Sequence, residues 1–305
     1  MQELNLRYFH SVAKTGSLSA AAQELHVAVS AVSRQITNLE QRLGLALFVR
    51  QPRGMALTEA GERLLAYALR NELELAGVID EMRGIQKRQQ KTLRIACPDG
   101  MAWHFLPRII ARFAAGHPDV DFELKVVDSA QASALVKQGD VDIALTFSLS
   151  VDIGIRVVSS HGAAIGALMA SSHPLAHKST LSVKDLADYP LALADAGSTV
   201  RYLFDVACRL AGIRLCARVA GNTLGVIYTL VSEHASMVGL CSVISVSGKV
   251  ESAGLVHKPL TDPPLAQRSL QVQVMAERQL PAHIEAFMAY LDGQLPAAEA
   301  RPTAS

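Results

Sequence analysis

An α/β protein with a helical N-terminal domain is the fold class this sequence predicts, and three patterns predict it. Residues 1–47 carry apolar side chains at helical spacing in three short runs. Residues 58–90 carry one long run with alternating four- and three-residue spacing. From residue 92 onward, short apolar strands alternate with helical stretches, the pattern of a parallel sheet with helices on both faces. At 305 residues the chain has room for about two domains.

The first helix places Leu6, Phe9, Val12 and Ala13 on one face, and Gly16 ends it. Ser17 or Ser19 can cap the next, over 20–25, because a hydroxyl accepts from free N–H groups there. A short turn at 26–28 leads into a third helix. There Val32, Ile36, Leu39 and Leu43 form the core stripe, while Ser30, Arg34, Thr37, Asn38 and Gln41 face away. Three short helices with a tight turn make a helix-turn-helix. The exposed face of the third, small hydroxyls, amides and one Arg, suits base edges and phosphates, and the acidic Glu40 lies outside that arc. Two short extended stretches then flank Pro52-Arg53-Gly54, a β-hairpin wing with Arg53 at its tip. A wing of this kind reaches the minor groove, where the potential is most negative. In the long helix, Leu64, Ala68, Asn71, Leu75, Val78, Met82 and Ile85 make a coiled-coil seam with one polar position, which calls for a second copy of the chain. The polar run 86–91 reads as a hinge.

Strands are expected at 93–97, 120–127 and 141–147, with intervening helices over 105–113 and 130–138. Further strands fall at 163–170, 190–194, 214–219, 237–246 and 270–276, between helices near 183–188, 199–211, 223–233 and 281–292. The tail 296–305, rich in Ala, Pro and Thr, is expected to be disordered.

Composition narrows the function. Half the residues are hydrophobic and 19% are charged, as in ordinary globular proteins. No apolar run approaches the roughly 18 residues of a membrane span. The first residues lack a basic stretch followed by an apolar one, so no secretory signal is expected and a cytoplasmic protein is. Four cysteines without a Cys-x-x-Cys pair exclude a disulfide scaffold and a zinc ribbon. The net charge is +1, but residues 1–91 hold 12 Lys/Arg against 9 Asp/Glu, the sign expected where a polyanion binds. No phosphate loop, dinucleotide fingerprint or nucleophile elbow is present, so neither an enzyme nor a cofactor is expected. His173 and His177 are four apart, yet Pro174 spoils the helical geometry a metal pair needs, and no metal site is expected.

The segment from Leu4 to Gly61 resembles the LysR-type transcriptional regulators of bacteria. The matching residues include Leu6-Arg7-Tyr8-Phe9, Gly16-Ser17-Leu18-Ser19-Ala20-Ala21-Ala22, Leu25-His26-Val27, Ser30-Ala31-Val32-Ser33-Arg34-Gln35-Ile36, Leu47-Phe48 and Leu57-Thr58-Glu59-Ala60-Gly61. Looser matches follow at Phe105-Leu106-Pro107, His117-Pro118, 139–144, 173–176 and 259–263. The resemblance implies a winged helix-turn-helix over 1–58 and a linker and dimerisation helix with hinge over 59–91. It also implies a two-lobed, periplasmic-binding-protein-like effector domain over 92–295. Lobe I would be 92–161 and 267–295, lobe II 162–266. It further implies a homo-oligomer, usually a tetramer, that binds double-stranded operator DNA at the nucleoid, with RNA polymerase as a further partner, under control of a small-molecule effector.

On this resemblance Ser33 and Arg34 are the expected base readers, Thr37, Arg50 and Arg53 the groove or phosphate contacts, with Ser30 and Asn38 on the same face. The chain departs from the family at Ala28 and Val29, where most members carry Ser or Thr and then Gln or Pro. The helix cap must therefore be weaker or shifted to Ser30. Ligands of open sheets bind at strand carboxyl ends. That rule selects Asp99, Gly100, Met101, Asp128, Thr146, Phe147, Ser198, Thr199, Arg201 and Thr223 as effector contacts. Asp99 and Arg201, of opposite sign, leave the effector's charge open. Two alternatives also stand: a redox-switched regulator using Cys208 and Cys216, and a solute-binding module.

Overall fold

The computed structural model describes residues 2–52, 54–84, 90–147 and 152–295. Arg53, Ile85, most of the hinge run and the 296–305 tail lie outside the described residues. The chain divides into two compact units.

The first unit holds α1 (Gln2–Thr15), α2 (Leu18–Glu24), α3 (Val29–Leu43), the hairpin β1 (Phe48–Gln51) and β2 (Gly54–Leu57), and α4 (Glu59–Gly84). Phe9, Val12, Ala21, Val32, Ile36, Leu39 and Leu47 form its core, the faces the sequence marks as apolar. Of the two candidate caps for α2, Ser17 serves: its Oγ accepts from the Ala20 N–H at 3.4 Å. Helix α3 starts from Ala28, with no side-chain cap bond, and Ser30 sits inside the helix, so the cap is lost and not shifted. The hairpin packs against the end of α1, where the Met55 N–H donates to Gly16 O at 2.7 Å. Gly54 is needed there, because its φ is +135° and a Cβ would fall 2.3 Å from Gly16 O. Along α4, Leu64 packs against the helical core and Ala68 is buried, whereas Leu75, Val78 and Met82 are exposed, Met82 by 63%.

The second unit begins with β3 (Lys91–Cys97), the short α5 (Asp99–Ala102), α6 (Phe105–Gly116), β4 (Val120–Val126), α7 (Ser129–Gln138), β5 (Ile143–Thr146) and β6 (Ile155–Gly162). It continues with β7 (Ile165–Ala170), β8 (Leu191–Ala194), α8 (Thr199–Leu210), β9 (Ala217–Gly221), α9 (Leu224–Glu233), β10 (Val238–Ser242) and α10 (Val243–Val246). Strand β11 (Leu255–Pro259), α11 (Pro263–Ala266), β12 (Ser269–Met275) and α12 (Ala282–Asp292) complete it. Two five-stranded sheets result, ordered β4-β3-β5-β12-β6 and β11-β7-β10-β8-β9. Each sheet with its helices makes one lobe, and the chain passes between lobes after β6 and again after β11.

The first three strands of this unit pair in parallel, as expected, but each sheet as a whole is mixed. Strand β12 runs antiparallel to both β5 and β6, and β7 runs antiparallel to β10 and β11. The cause is the two passages: a strand returning from the other lobe needs no helical crossover to pair antiparallel. Strands β6 and β11 fall outside the predicted set. Residues 243–246, expected as strand, are helix α10, and Val183–Leu186 is a 3-10 turn. The first lobe's core centres on Phe105, Ile109, Phe113, Leu145 and Phe287; Phe204, Leu203 and Leu240 anchor one core of the second.

Candidate functional site

Helix α3 offers a continuous polar face. Ser30, Arg34, Thr37 and Asn38 are exposed, and Ser33 is half-buried at its edge. Glu40 leaves that face clear, because its Oε1 accepts from the Leu47 N–H at 2.8 Å and the Phe48 N–H at 3.2 Å. One carboxylate thus both orders the entry to the hairpin and keeps its charge off the reading face. Arg50 is exposed on β1. Val29, in the first turn of α3, is 44% exposed, an apolar group set among polar ones. Arg53 lies outside the described residues.

A second candidate site lies between the lobes, a cavity of about 510 Å³ at the carboxyl ends of the strands. Asp99, Gly100, Asp128, Phe147, Ser198, Thr199 and Thr223 line it. The other three expected contacts do not. Met101 is fully buried in the first lobe's core, since α5 turns it inward. Thr146 is fully buried in β5, one residue short of the cavity. Arg201 is held by Asp205 one helical turn on, its Nε lying 3.0 and 3.1 Å from the two carboxylate oxygens.

Much of the polar lining is spent on the fold. Asp128 Oδ1 accepts from the Gln131 N–H at 2.8 Å and caps α7. Ser198 Oγ accepts from the Arg201 N–H at 3.1 Å and donates to Asp195 O. Asp99 belongs to the first lobe, yet its Oδ2 accepts from the Leu224 N–H, the first of α9 in the second lobe, at 2.5 Å. A carboxylate placed on a helix N-terminus offsets its partial positive charge, so Asp99 ties the lobes together. Trp103 adds an apolar tie, its ring 4.6 Å from that of Tyr228 on α9.

Among the lining groups not anticipated from the sequence are Arg268, Ser242 and Cys241. Arg268 is 7% exposed, and its guanidinium lies 3.6 Å from the Phe147 ring centre. Its Nε has no hydrogen-bond partner, and neither does the Oγ of the buried Ser242. Burial pulls the Arg268 pKa down to about 9, which still leaves it charged at neutral pH. The signal that could have found it is a lone Arg set directly before 269–275, a strand buried at every position. Burial pushes the Cys241 thiol up to about 12, so it stays protonated.

Cys208 is buried, and burial together with Asp205 and Asp262 pushes its thiol up to about 11, while Cys216 is exposed. A thiol so protonated is a poor nucleophile toward peroxide, which weakens the redox alternative. His173 is buried, and its Nδ1 accepts from the Leu175 N–H at 3.1 Å, a turn-capping role. Among the described residues no helix is long and apolar enough to cross a membrane.

Comparison with known proteins bears on both sites. Residues 4–62 match the family described as bacterial regulatory helix-turn-helix protein, lysR family, and residues 86–296 match the LysR substrate binding domain. The HTH-type transcriptional regulator IlvY of Escherichia coli is 31% identical over 244 residues, 78% of each chain. The HTH-type transcriptional regulator MetR of Salmonella typhimurium is 28% identical over 253 residues, 83% of this chain and 78% of its own. A full-length OxyR variant from Pseudomonas aeruginosa superposes with a TM-score of 0.64 over 100% of this chain and 99% of its own, at 18% identity. HinK, a LysR family regulator of the same organism, does so at 0.53 over 96% and 98%, at 22% identity. At these identities the two structures speak for the fold alone.

Proposed function

The chain belongs to the LysR family of transcriptional regulators, a helix-turn-helix DNA-binding domain joined to an effector-binding domain, and from that premise we propose a division of labour among its residues. Ser33 and Arg34 read base edges, with Ser30, Thr37 and Asn38 beside them, while Arg50 and Arg53 hold phosphates or the minor groove. A small molecule between the lobes controls the protein, which acts at the nucleoid in the cytoplasm, alone or with RNA polymerase, and performs no catalysis. The exposed apolar strip Leu75, Val78 and Met82 is covered by the same strip of a second copy, and pairs of dimers form tetramers.

The polar, acid-free face of α3 is the observation that carries the reading. The first test is fluorescence anisotropy of the full chain on DNA from upstream of its own gene, against scrambled DNA, across a salt series. Tight, salt-sensitive binding with preference for the upstream DNA is expected; equal binding to both, followed by no enriched sequence in an unbiased selection, overturns it.

Two variants separate reading from holding. Arg50→Ala is expected to weaken binding to all sequences alike and to reduce the log–log salt slope by about 0.9, one phosphate contact. An unchanged slope removes Arg50 from the interface. Val29→Gln is expected to change the preferred sequence without abolishing binding, because Gln can pair with an adenine edge where Val meets only a thymine methyl. Binding-site selection on both proteins decides this, and identical preferred sequences exclude Val29 from readout.

A further inference from the structure

The charge of the cleft follows from which groups are already engaged. Asp99 is spent on the start of α9 and Asp128 on the start of α7. Arg201 is spent on Asp205, outside the lining. Asp195 stands at the exposed rim. Among the described residues Arg268 is the one Lys or Arg in the lining; it is buried, and its Nε has no hydrogen-bond partner. Ser242 lies in the same lining, buried, with its hydroxyl oxygen unpartnered. Buried polar groups in native proteins almost always find partners, and one that does not needs a reason. Both residues line a cavity large enough for a metabolite-sized molecule, and the planar guanidinium fork matches a carboxylate in two parallel hydrogen bonds.

We propose that the cleft binds a small organic acid, its carboxylate seated on Arg268 with the Ser242 hydroxyl available to it, and its hydrocarbon part against Val126, Val127, Val200, Ile227 and Leu240. This rests on the reading of the cleft as the effector site. It also removes the ambiguity left by Asp99 and Arg201, since neither of them is free to set the ligand's charge. Phe147, itself in the lining, holds the guanidinium against its ring, 3.6 Å from the ring centre, and so restricts its movement.

The test is calorimetric titration of the full-length protein with butyrate, hexanoate and phenylacetate, each beside its neutral amide. Saturable binding of at least one acid is expected, with its amide at least tenfold weaker. Arg268→Gln is expected to weaken that acid at least tenfold, and Arg268→Lys to fall between. An amide that binds as well as its acid overturns the proposal. So does an Arg268→Gln protein that binds the acid unchanged, or a wild-type protein that binds none of the three acids. Should Arg268→Gln fail to fold, the acid–amide comparison on the wild type decides alone. Operator binding measured on the same preparation keeps the two readings apart: its loss sinks the regulator and leaves the acid site standing or falling on its own titration.

Discussion

Alanine at Gly61 is expected to lower the melting temperature of the N-terminal unit by on the order of 10–20 °C. Its Cβ would fall 2.1 Å from Leu47 O and 2.9 Å from Leu57 Cδ2. The oxygen it meets is fixed. Leu47 O accepts from the Thr58 N–H at 3.0 Å, and the Leu47 N–H is held by Glu40. Thr58 in turn donates to Ala46 O at 2.7 Å and accepts from the Gly61 N–H at 3.0 Å. To admit the methyl, α4 must leave the hairpin, and those bonds go with it. Overpacking costs roughly 1–3 kcal/mol and more against rigid backbone. In a small domain each kcal/mol moves the midpoint by about 4–8 °C. Gly77, on the same helix with nothing within 4 Å of its Cβ position, is the control. Gly77→Ala is expected to stabilise by up to about 1 kcal/mol through helix propensity. Thermal melts followed by circular dichroism compare the two, and a Gly61→Ala melt matching wild type would show that the hairpin shifts freely.

Phe113→Ala is expected to destabilise the C-terminal unit by about 3–5 kcal/mol, the usual cost of emptying a buried aromatic site. Phe113 is 3% exposed and sits at the centre of an aromatic cluster. Phe287 meets it edge-on at 5.2 Å, Phe122 at 6.1 Å, Tyr290 tilts toward it at 5.6 Å, and His117 stacks on it at 3.8 Å. These rings come from α6, β4 and α12 and from the loop after α6, so no single element can move to fill the void. Differential scanning calorimetry should show the C-terminal transition falling while the N-terminal one stays. Equal shifts in both would mean that the two units unfold as one.

The N-terminal unit was legible because its signals are local. Gly16, Ser17 and Gly44 punctuate three amphipathic runs, and each stripe is complete within one helix. The second unit was legible only in part. Strand β6 alternates exposed and buried positions at a sheet edge with Ser159, Ser160 and His161, which does not read as a strand. Strand β11 ends on Lys258 and Pro259, which suit a loop as well as an edge. The antiparallel insertion of β12 depends on partners more than a hundred residues away, beyond any window of periodicity.

In the cleft, the strand-end rule located Asp99, Asp128, Phe147 and Thr223, but periodicity says nothing of what a side chain is already bonded to. Asp99 reads as a ligand contact until its bond to Leu224 is seen, and Arg268 is visible only once the lobes enclose it. Arg201 is the exception, since an Asp four residues on is a local cue to its pairing.

The place of β12 between β5 and β6 also sets an order of events on the ribosome. Every strand of the second lobe precedes it in the chain, so that lobe can be finished while the first still lacks its last strand. Until residues 269–275 emerge, β6 has no neighbour and β5 keeps one edge open. At about 5–20 residues per second, the hundred-odd residues between β6 and the end of β12 hold that state for on the order of ten seconds. Unpaired edges of this kind invite pairing with other chains. A nascent chain stalled before Ser269 therefore carries one complete lobe and one adhesive sheet, and the speed of translation through this stretch bears directly on yield.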